Sequence, residues 1–321
     1  MAPQVERAGE WPPSLAHSLT AILGGTASIV EELTSPWTLG TRSVRVAAGV
    51  PWRDYMVQWT ESARTRDRRA MARRVRLGRD LARRAPWLPL PEVVGGDGGG
   101  PVPFLVTRFV NGTPGRELLG DDANAARLGA AAGRVQREMA RVPTAGLRLS
   151  RTWSDPDLLE PAARRWLAGA GADLDQGEAG RVREAIERVP GAFVGFRPTF
   201  AHGDLAPVNV LMRDGAVVAL LDLERARLAH PLFDAAWWRW VLRYHHASIC
   251  PTAVDSFLSA AGVDRGEATP ASLDVLAILQ CLEVLSAIPA SRQGARREWA
   301  RRIVRILDWS CAPHGQAHDQ I

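Results

Sequence analysis

The sequence contains no lysine, so arginine supplies all 40 of its basic side chains. A Walker A loop needs its lysine and a Schiff-base enzyme needs a lysine amine, so both classes are excluded. Cysteine is scarce as well, and the three cysteines, Cys250, Cys281 and Cys311, lie far apart. They are predicted to be free thiols, because neither a disulfide framework nor a zinc site fits that spacing.

Long apolar runs are also missing. No stretch approaches the ~20 apolar residues that span a bilayer, and the first residues contain no apolar signal core. We therefore expect a cytoplasmic protein without a membrane partner. The 321 residues, of which 46% are hydrophobic, suffice for one large domain or for two lobes with a buried core.

Positive charge is concentrated in one segment. The net charge is only +5, but ten arginines lie between Arg64 and Arg84, opposed there by Asp67 and Asp80 alone. The segment is either the solvated face of a helix or a docking surface for an acidic peptide or partner protein. Nucleic acid is not an expected partner, because no aromatic side chains alternate with the arginines.

Residue patterning predicts a sheet-rich region followed by a mainly helical one. Residues 1–35 are expected to be a helical lead-in, because Leu15, Leu19, Ile22 and Leu23 recur at helical spacing. Strands are predicted near 44–46, 55–60, 92–94 and 104–110, with a helix over Arg64–Arg84. The glycine-rich stretch 95–100 is expected to be a loop.

Helices predominate from Asp121 onward, and Asp121 or Asp122 is expected to cap the first of them. The predicted helices lie at 121–141, 155–189, 234–248, 252–262, 271–288 and 292–309. We place the boundary of the two regions at Asn111-Gly112, which gives one part of residues 1–112 and a second of residues 113–321.

Residues 202–224 carry the most informative pattern. Asp204 and Asn209 are five residues apart, which is the spacing between the catalytic base and a metal ligand in protein-kinase catalytic loops. Asp214-Gly215 separates two apolar runs and indicates a two-residue hairpin turn. That hairpin would bring Asn209 and Asp222 to one end, beside the loop of Asp204. The arrangement suits Mg²⁺ on a nucleotide and proton transfer from a hydroxyl group.

Together with the order of elements, these residues give the chain a resemblance to the aminoglycoside phosphotransferase family of the protein-kinase-like fold. The family's HGDxxxxN loop matches the run from His202 to Asn209, its metal-binding motif matches Asp222-Leu223-Glu224, and its PxxD element matches Pro231 to Asp234. The resemblance implies an α+β, protein-kinase-like bilobal fold. Its small lobe would be an antiparallel β-sheet with one helix, and its larger lobe would be mainly helical and hold the substrate site.

The resemblance also implies residue roles. Asp204 would orient the acceptor hydroxyl and accept its proton, and Asn209 and Asp222 would bind Mg²⁺. His202 and Asp234 are expected to support the loop, whereas Glu224 either approaches the metal or faces solvent. The residues expected to bind the nucleotide, ATP or GTP, are Gly40, Arg42, Gln58, Thr107 and Phe109.

The third strand departs from the family pattern. Kinase-like enzymes place a lysine there to hold the phosphates, paired with a glutamate on the next helix. Here Gln58 occupies the expected position and the next helix is rich in arginine. Arg42, Arg45 and Arg74 are candidates for the missing cation, and the sequence does not choose among them.

Three functions remain open. The first is an ATP- or GTP-dependent O-phosphotransferase acting on a small hydroxylated molecule, such as an antibiotic or another secondary metabolite. The second is a kinase for Ser or Thr of a precursor peptide in a ribosomal natural-product pathway, docked at Arg64–Arg84. The third is a pseudokinase-like nucleotide-binding module, which Gln58 suggests.

The acceptor site is expected in the helical region. Residues 235–321 carry eight acidic residues and nine arginines, which gives no support for a polycationic acceptor. The candidate acceptor-binding residues are Trp237, Trp238, His245, His246 and Glu283.

Overall fold

The computed structural model describes residues 11–33, 41–49, 53–62, 64–264, 266 and 268–311. The chain forms two compact units. Unit 1 runs to Gly112 and includes two later segments, Gly146–Arg148 and Val218–Glu224. Unit 2 contains Thr113–Ala145, Leu149–Val217 and the described residues from Arg225 onward. The antiparallel sheet followed by helices confirms the predicted α+β class.

Unit 1 is built on a five-stranded antiparallel sheet of order β1-β2-β3-β5-β4. Its strands are β1 (Ala27–Glu32), β2 (Arg42–Ala48), β3 (Arg53–Trp59), β4 (Val93–Asp97) and β5 (Phe104–Arg108). Its helices are α1 (Pro13–Leu23) and α2 (Thr65–Arg84).

The two faces of this sheet pack against different helices. Side chains alternate along a strand, so Val44 and Val46 of β2 share the buried face with Val57 of β3. Leucines of α1 cover this face and complete its apolar core. On the opposite face, Leu105 packs against Met71 and Val75 of α2. Gln58 lies on that second face, because Val57 and Trp59 beside it are buried in the first.

Two sequence expectations for unit 1 are wrong. The lead-in helix ends at Leu23, and Ala27–Glu32 forms an edge strand, since the β-branched Ile29 and Val30 favour extended backbone. Gly95 and Gly96 lie within β4 rather than in a loop, because they pair with Val106 and Leu105 of the neighbouring strand.

Unit 2 is mainly helical. Its helices are α3 (Asp122–Met139), α4 (Pro156–Ala170), α5 (Gln176–Glu187), α6 (Val189–Ala192), α7 (Phe233–His245), α8 (Cys250–Ala261), α9 (Pro270–Ala287) and α10 (Gln293–Cys311). Asp121 caps α3 as predicted, because its side chain accepts a hydrogen bond from the Asn124 N–H. The single helical region predicted at 155–189 is instead three helices, with Asp175 starting the second through a capping box.

Short strands position the loops of unit 2. They are β6 (Thr113–Pro114), β7 (Ser150–Trp153), β8 (Thr199–Ala201), β9 (Val210–Arg213) and β11 (Arg227–Ala229), together with β10 (Ala216–Leu220), whose residues from Val218 onward belong to unit 1. β11 lies between β7, to which it is parallel, and β8, to which it is antiparallel. The predicted hairpin turn is confirmed: Asp214 and Gly215 both have positive φ, 52° and 76°, as a type I′ turn requires.

Helix α9 forms the centre of the helical core and packs against α4, α5, α7 and α10. It is long and apolar enough to cross a membrane, the one such helix among the described residues. However, 61% of its apolar window is buried within the protein, as in the core helix of a globular domain. The cytoplasmic location expected from the sequence stays a prediction.

Candidate active site

The loop after β8 is held in place by the start of α7. The carboxylate of Asp234 accepts hydrogen bonds from two successive backbone N–H groups, that of His202 at 2.7 Å and that of Gly203 at 2.9 Å. Asp234 is completely buried. A buried carboxylate with two N–H partners restrains the backbone of both residues, and these contacts are consistent with the supporting role proposed for Asp234.

Glycine is required at position 203. Its φ is +86°, and a Cβ there would overlap the backbone carbonyl oxygen of Arg225. The loop therefore turns sharply against the segment before β11. The next residue, Asp204, is half-buried.

Asp204 is oriented by three neighbours. The indole Nε1 of Trp237 donates a hydrogen bond to Asp204 Oδ1 at 2.7 Å. The backbone N–H of Asp204 donates to His202 Nδ1 at 3.2 Å, and Asn209 Nδ2 donates to the Asp204 carbonyl at 2.9 Å. The structure thus brings Asp204, Asn209 and His202 together, and the loop-holding role of His202 stays a prediction that its bond to the Asp204 N–H supports.

Burial changes the acidity of Asp234. Desolvation raises its pKa to about 6, although the hydrogen bonds from Gly203 and His202 and the charge of Arg227 act in the opposite direction. Arg227 is itself buried and donates to Glu283 Oε2 at 2.7 Å. Trp153 Nε1 donates to the same oxygen at 3.2 Å. Glu283 therefore belongs to a structural ion pair, and we withdraw it from the acceptor-binding residues.

Asp222 lies in unit 1 and has an uncommon backbone conformation. Its φ of 59° is in the left-handed region, which few non-glycine residues adopt, although aspartate does so more readily than most. The strand before it is anchored where the Leu220 N–H donates to the Pro89 carbonyl at 2.7 Å. The hairpin-turn residue Asp214 has a similar φ, so this conformation does not by itself assign a function, and the metal-binding role of Asp222 stays a prediction.

Arg74 of α2 is the partner of Asp222. Its Nη2 donates to Asp222 Oδ1 at 2.9 Å and to Gln58 Oε1 at 3.0 Å, and its Nη1 lies 3.7 Å from Glu224 Oε2. Gln58 Nε2 donates in turn to Ser43 Oγ at 3.2 Å. The Arg74 side chain is only 8% exposed, whereas Asp222 and Glu224 are 39% and 49% exposed. Unit 1 therefore brings Gln58, Asp222 and Glu224 together around one buried cation.

The other predicted nucleotide-binding residues are placed differently. Gly40 lies outside the described residues. Arg42 pairs with Glu32 at 3.0 Å and lies over the ring of Trp59, and Thr107 is paired between neighbouring strands. The N–H of Phe109 donates to the Asp54 carbonyl at 3.0 Å. That N–H is therefore engaged within the sheet, and recognition of a base has to use other groups of the segment that follows β5.

Two of the four predicted aromatic acceptor residues are core residues. Trp238 is completely buried and stacks on Phe257 with ring centroids 5.2 Å apart, so it cannot touch an acceptor. Trp237 is buried as well, and its indole donates a hydrogen bond to Asp204. The sequence did not predict this contact. His245 and His246 end α7, roughly 12 Å along the helix from Trp237 at 1.5 Å per residue. Their role stays a prediction.

Several arginines of α2 interact with their own unit. Arg68 donates to the carbonyls of Gly100 and Pro101, Arg79 donates to the Gly96 carbonyl, and Arg83 pairs with Asp80. The predicted docking of an acidic partner at Arg64–Arg84 would have to rely on the arginines that remain exposed, such as Arg69 and Arg76.

The residues predicted to bind metal carry oxygen donors of the kind that Mg²⁺ prefers. Among the described residues, no three or more His, Cys, Asp or Glu side chains form a metal-binding cluster. Mg²⁺ is commonly held by one or two protein oxygen ligands together with substrate phosphates, so such a cluster is not required. The Asp222 carboxylate and the Asn209 amide oxygen are suitable donors, since Asn209 uses its nitrogen for the loop.

A sheet-based unit with one helix on each face, a helical unit and the 202–224 motif define a phosphotransferase of the protein-kinase-like class. The model of the phosphotransferase enzyme family (APH) matches residues 40–276. The chain belongs to this family, which confirms the resemblance drawn from the motif and the enzyme class predicted from it. No curated protein matches the chain at the level of sequence.

Solved structures of antibiotic phosphotransferases share the fold. The macrolide 2′-phosphotransferase MphH from Brachybacterium faecium is 19% identical with a TM-score of 0.65, over 90% of this chain and 98% of that one. A thermostable mutant of aminoglycoside phosphotransferase APH(4)-Ia, solved with ADP and hygromycin B, is 16% identical with a TM-score of 0.64, over 94% and 100%. APH(2")-IIia, solved with GDP and kanamycin, is 16% identical with a TM-score of 0.64, over 93% and 98%. At these identities the likeness establishes the fold.

Proposed function

We propose that the chain is an ATP- or GTP-dependent kinase that transfers the γ-phosphate to a hydroxyl group of a small molecule. The observation that carries the proposal is the Asp204 carboxylate, oriented by Trp237 on a loop that Asp234 fixes through two backbone N–H groups. Structures of this fold that contain ADP with hygromycin B, or GDP with kanamycin, support a nucleotide and a hydroxylated acceptor.

Three of the predicted residues are assigned a role in this reaction. Asp204 orients the acceptor hydroxyl and accepts its proton, while Asn209 and Asp222 are the protein ligands for Mg²⁺. Bound Mg²⁺ supplies charge neutralisation at the phosphate oxygens. We assign nucleotide binding to unit 1, through the residues around Arg74, and acceptor binding to unit 2. Catalysis in this scheme depends on positioning and electrostatics, because phosphoryl transfer needs little covalent help from the protein.

The acceptor is proposed to carry little positive charge. A polycation would need free carboxylates in unit 2, but four of the eight acidic residues in 235–321 are bound to arginines of the same unit. These pairs are Glu283 with Arg227, Asp274 with Arg239, Glu298 with Arg301 and Arg302, and Asp308 with Arg181. In addition, the Arg225 guanidinium lies over the ring of Trp237, close to the predicted base. This balance favours a neutral or singly charged hydroxylated molecule.

A nucleotide-consumption screen tests the proposal. The full chain is incubated with Mg²⁺, ATP or GTP and a panel of hydroxylated metabolites that includes neutral, singly charged and polycationic members. Mass spectrometry then looks for a gain of one phosphate. We expect transfer to a neutral or singly charged acceptor, and its loss in Asp204→Asn. Nucleotide binding without transfer to any acceptor would favour the pseudokinase-like alternative.

A further inference from the structure

Arg74 lies beside the strand position at which the family pattern has a lysine. The polar face of β3 presents Gln58, which has no charge, at the position where the family pattern has lysine. The helix that follows presents an arginine where the pattern has glutamate. Gln58 and Arg74 are hydrogen-bonded to each other at 3.0 Å. Strand and helix are thus linked as in other kinases, but the positive charge is on the helix.

Arg74 differs from the two other candidates in what it contacts. Arg42 is 48% exposed and pairs with Glu32 on the edge strand. Arg45 pairs with Asp54 and stacks over the ring of Phe109 at 4.4 Å. Arg74, by contrast, is nearly buried and contacts Asp222, the residue predicted to bind metal. Of the three, it is the one that the structure connects with the predicted metal ligand.

We propose that Arg74 is the phosphate-binding cation of this kinase, and that Gln58 is its neutral orienting partner. The charge that other members of the class carry on the third strand is moved to the helix. The inference rests on the proposed function, because it requires a nucleotide polyphosphate as ligand. Arginine suits this role, since its planar guanidinium can bond two oxygens while it keeps a third partner.

The present partners of Arg74 have the chemistry of the proposed ligand. Asp222 and Glu224 offer anionic oxygens to a guanidinium that Gln58 holds in place, and both carboxylates are partly open to solvent. Phosphate oxygens can replace them with charge-assisted hydrogen bonds of the same kind. Arg74 then passes from Asp222 to the phosphates, which leaves the Asp222 carboxylate available to a divalent cation.

Calorimetric titration of the full chain with nucleoside, monophosphate, diphosphate and triphosphate, in both the adenine and guanine series, tests the assignment. Arg74→Gln should weaken binding of the di- and triphosphates by roughly 10–100-fold and leave nucleoside binding within about twofold, because the lost contacts are charge-assisted hydrogen bonds to phosphate. The matched control is Arg76→Gln, an exposed arginine of the same helix, which should bind every ligand as the wild type does.

A charge swap guards against a folding defect. Arg74→Glu alone should abolish measurable diphosphate binding, and the double variant Gln58→Lys/Arg74→Glu should restore it to within about tenfold of the wild type, since it recreates the usual strand lysine and helix glutamate. Thermal unfolding of each variant is measured in parallel.

Several results would overturn the assignment. They are unchanged diphosphate affinity in a folded Arg74→Gln, an equal loss for nucleoside and diphosphate, or a loss confined to Arg42→Gln or Arg45→Gln. Failure of the wild type to bind any nucleotide would instead refute the proposed function itself.

Discussion

The loop region around Asp204 and the charged cluster around Arg74 are built in different ways. In the loop region, the buried Asp234 carboxylate accepts hydrogen bonds from two backbone N–H groups, and Gly203 packs against the carbonyl of Arg225. In the Arg74 cluster, contacts join side chains, and the two carboxylates are partly exposed. Contacts through the backbone require particular residues at a particular spacing in the sequence. A cationic side chain, by contrast, can reach the same place from either of two adjacent elements. The loop therefore keeps the family pattern, and the cation departs from it.

The largest effect is expected at Asp204. Asp204→Asn removes the proton acceptor and should lower kcat by roughly 10²–10⁴-fold, the usual contribution of general base catalysis. The measurement is the rate of phosphate transfer to the acceptor found in the screen. The matched control is Asp214→Asn in the exposed hairpin turn, because asparagine also tolerates positive φ. A variant at Asp204 with wild-type kcat would remove the base from the mechanism.

The buried groups near the loop should produce opposing pH effects. Between pH 4 and 6 the folded state holds the Asp234 proton, with a pKa of about 6 against 3.8 for the ordinary group, so this group makes the free energy of unfolding fall as pH rises. The pKa of His230 is lowered by burial from 6.5 to about 4, so its contribution rises with pH through the same window. Over the whole pH range, each of these two pKa shifts corresponds to about 3 kcal/mol of unfolding free energy, at 1.4 kcal/mol per pKa unit.

Urea unfolding at pH 4, 5, 6 and 7 separates the two contributions. Relative to the wild type, the free energy of unfolding of Asp234→Asn should rise by about 2 kcal/mol from pH 4 to pH 6, because the variant lacks the contribution that falls over this range. His230→Gln should lose a similar amount over that range. If Asp234→Asn kept the pH dependence of the wild type, the carboxyl would not be the raised-pKa group.

Glu283 separates a structural role from acceptor binding. Glu283→Gln leaves the buried Arg227 without its ionic partner and should lower the free energy of unfolding by about 1–3 kcal/mol. The KM for the acceptor should not change. Glu160→Gln, which breaks an exposed pair with Arg164, is the control and should cost less than about 1 kcal/mol. A raised KM at unchanged stability would return Glu283 to the acceptor site.

The smallest effect concerns the orientation of Asp204. Trp237→Phe deletes the indole N–H donor but keeps an aromatic ring at this position. It should lower kcat about tenfold, as expected for one hydrogen bond to a charged group. Trp238→Phe is the matched control, because Trp238 stacks on Phe257. Combined with Asp204→Asn, Trp237→Phe should have no further effect. Additive losses would show that Trp237 acts elsewhere.

The sequence predicted what depends on local spacing. The Asp214-Gly215 turn, the cap at Asp121 and the loop from His202 to Asn209 each lie within a few residues, so local patterns specify them. It did not predict the bond between Arg74 and Asp222 or the pair of Arg227 with Glu283, because those partners are distant in sequence. Candidate arginines could be named, but only the packing of α2 on the sheet selects among them.

Asp204 and Asp222 are proposed to have different roles, Asp204 in proton transfer and Asp222 in binding Mg²⁺. Nucleotide titration with and without Mg²⁺ tests this difference directly. We expect Asp222→Asn to lose the Mg²⁺-dependent part of its nucleotide affinity, because it removes a carboxylate ligand. Asp204→Asn should keep that part while it loses transfer. Equal loss of nucleotide affinity in both variants would contradict the account.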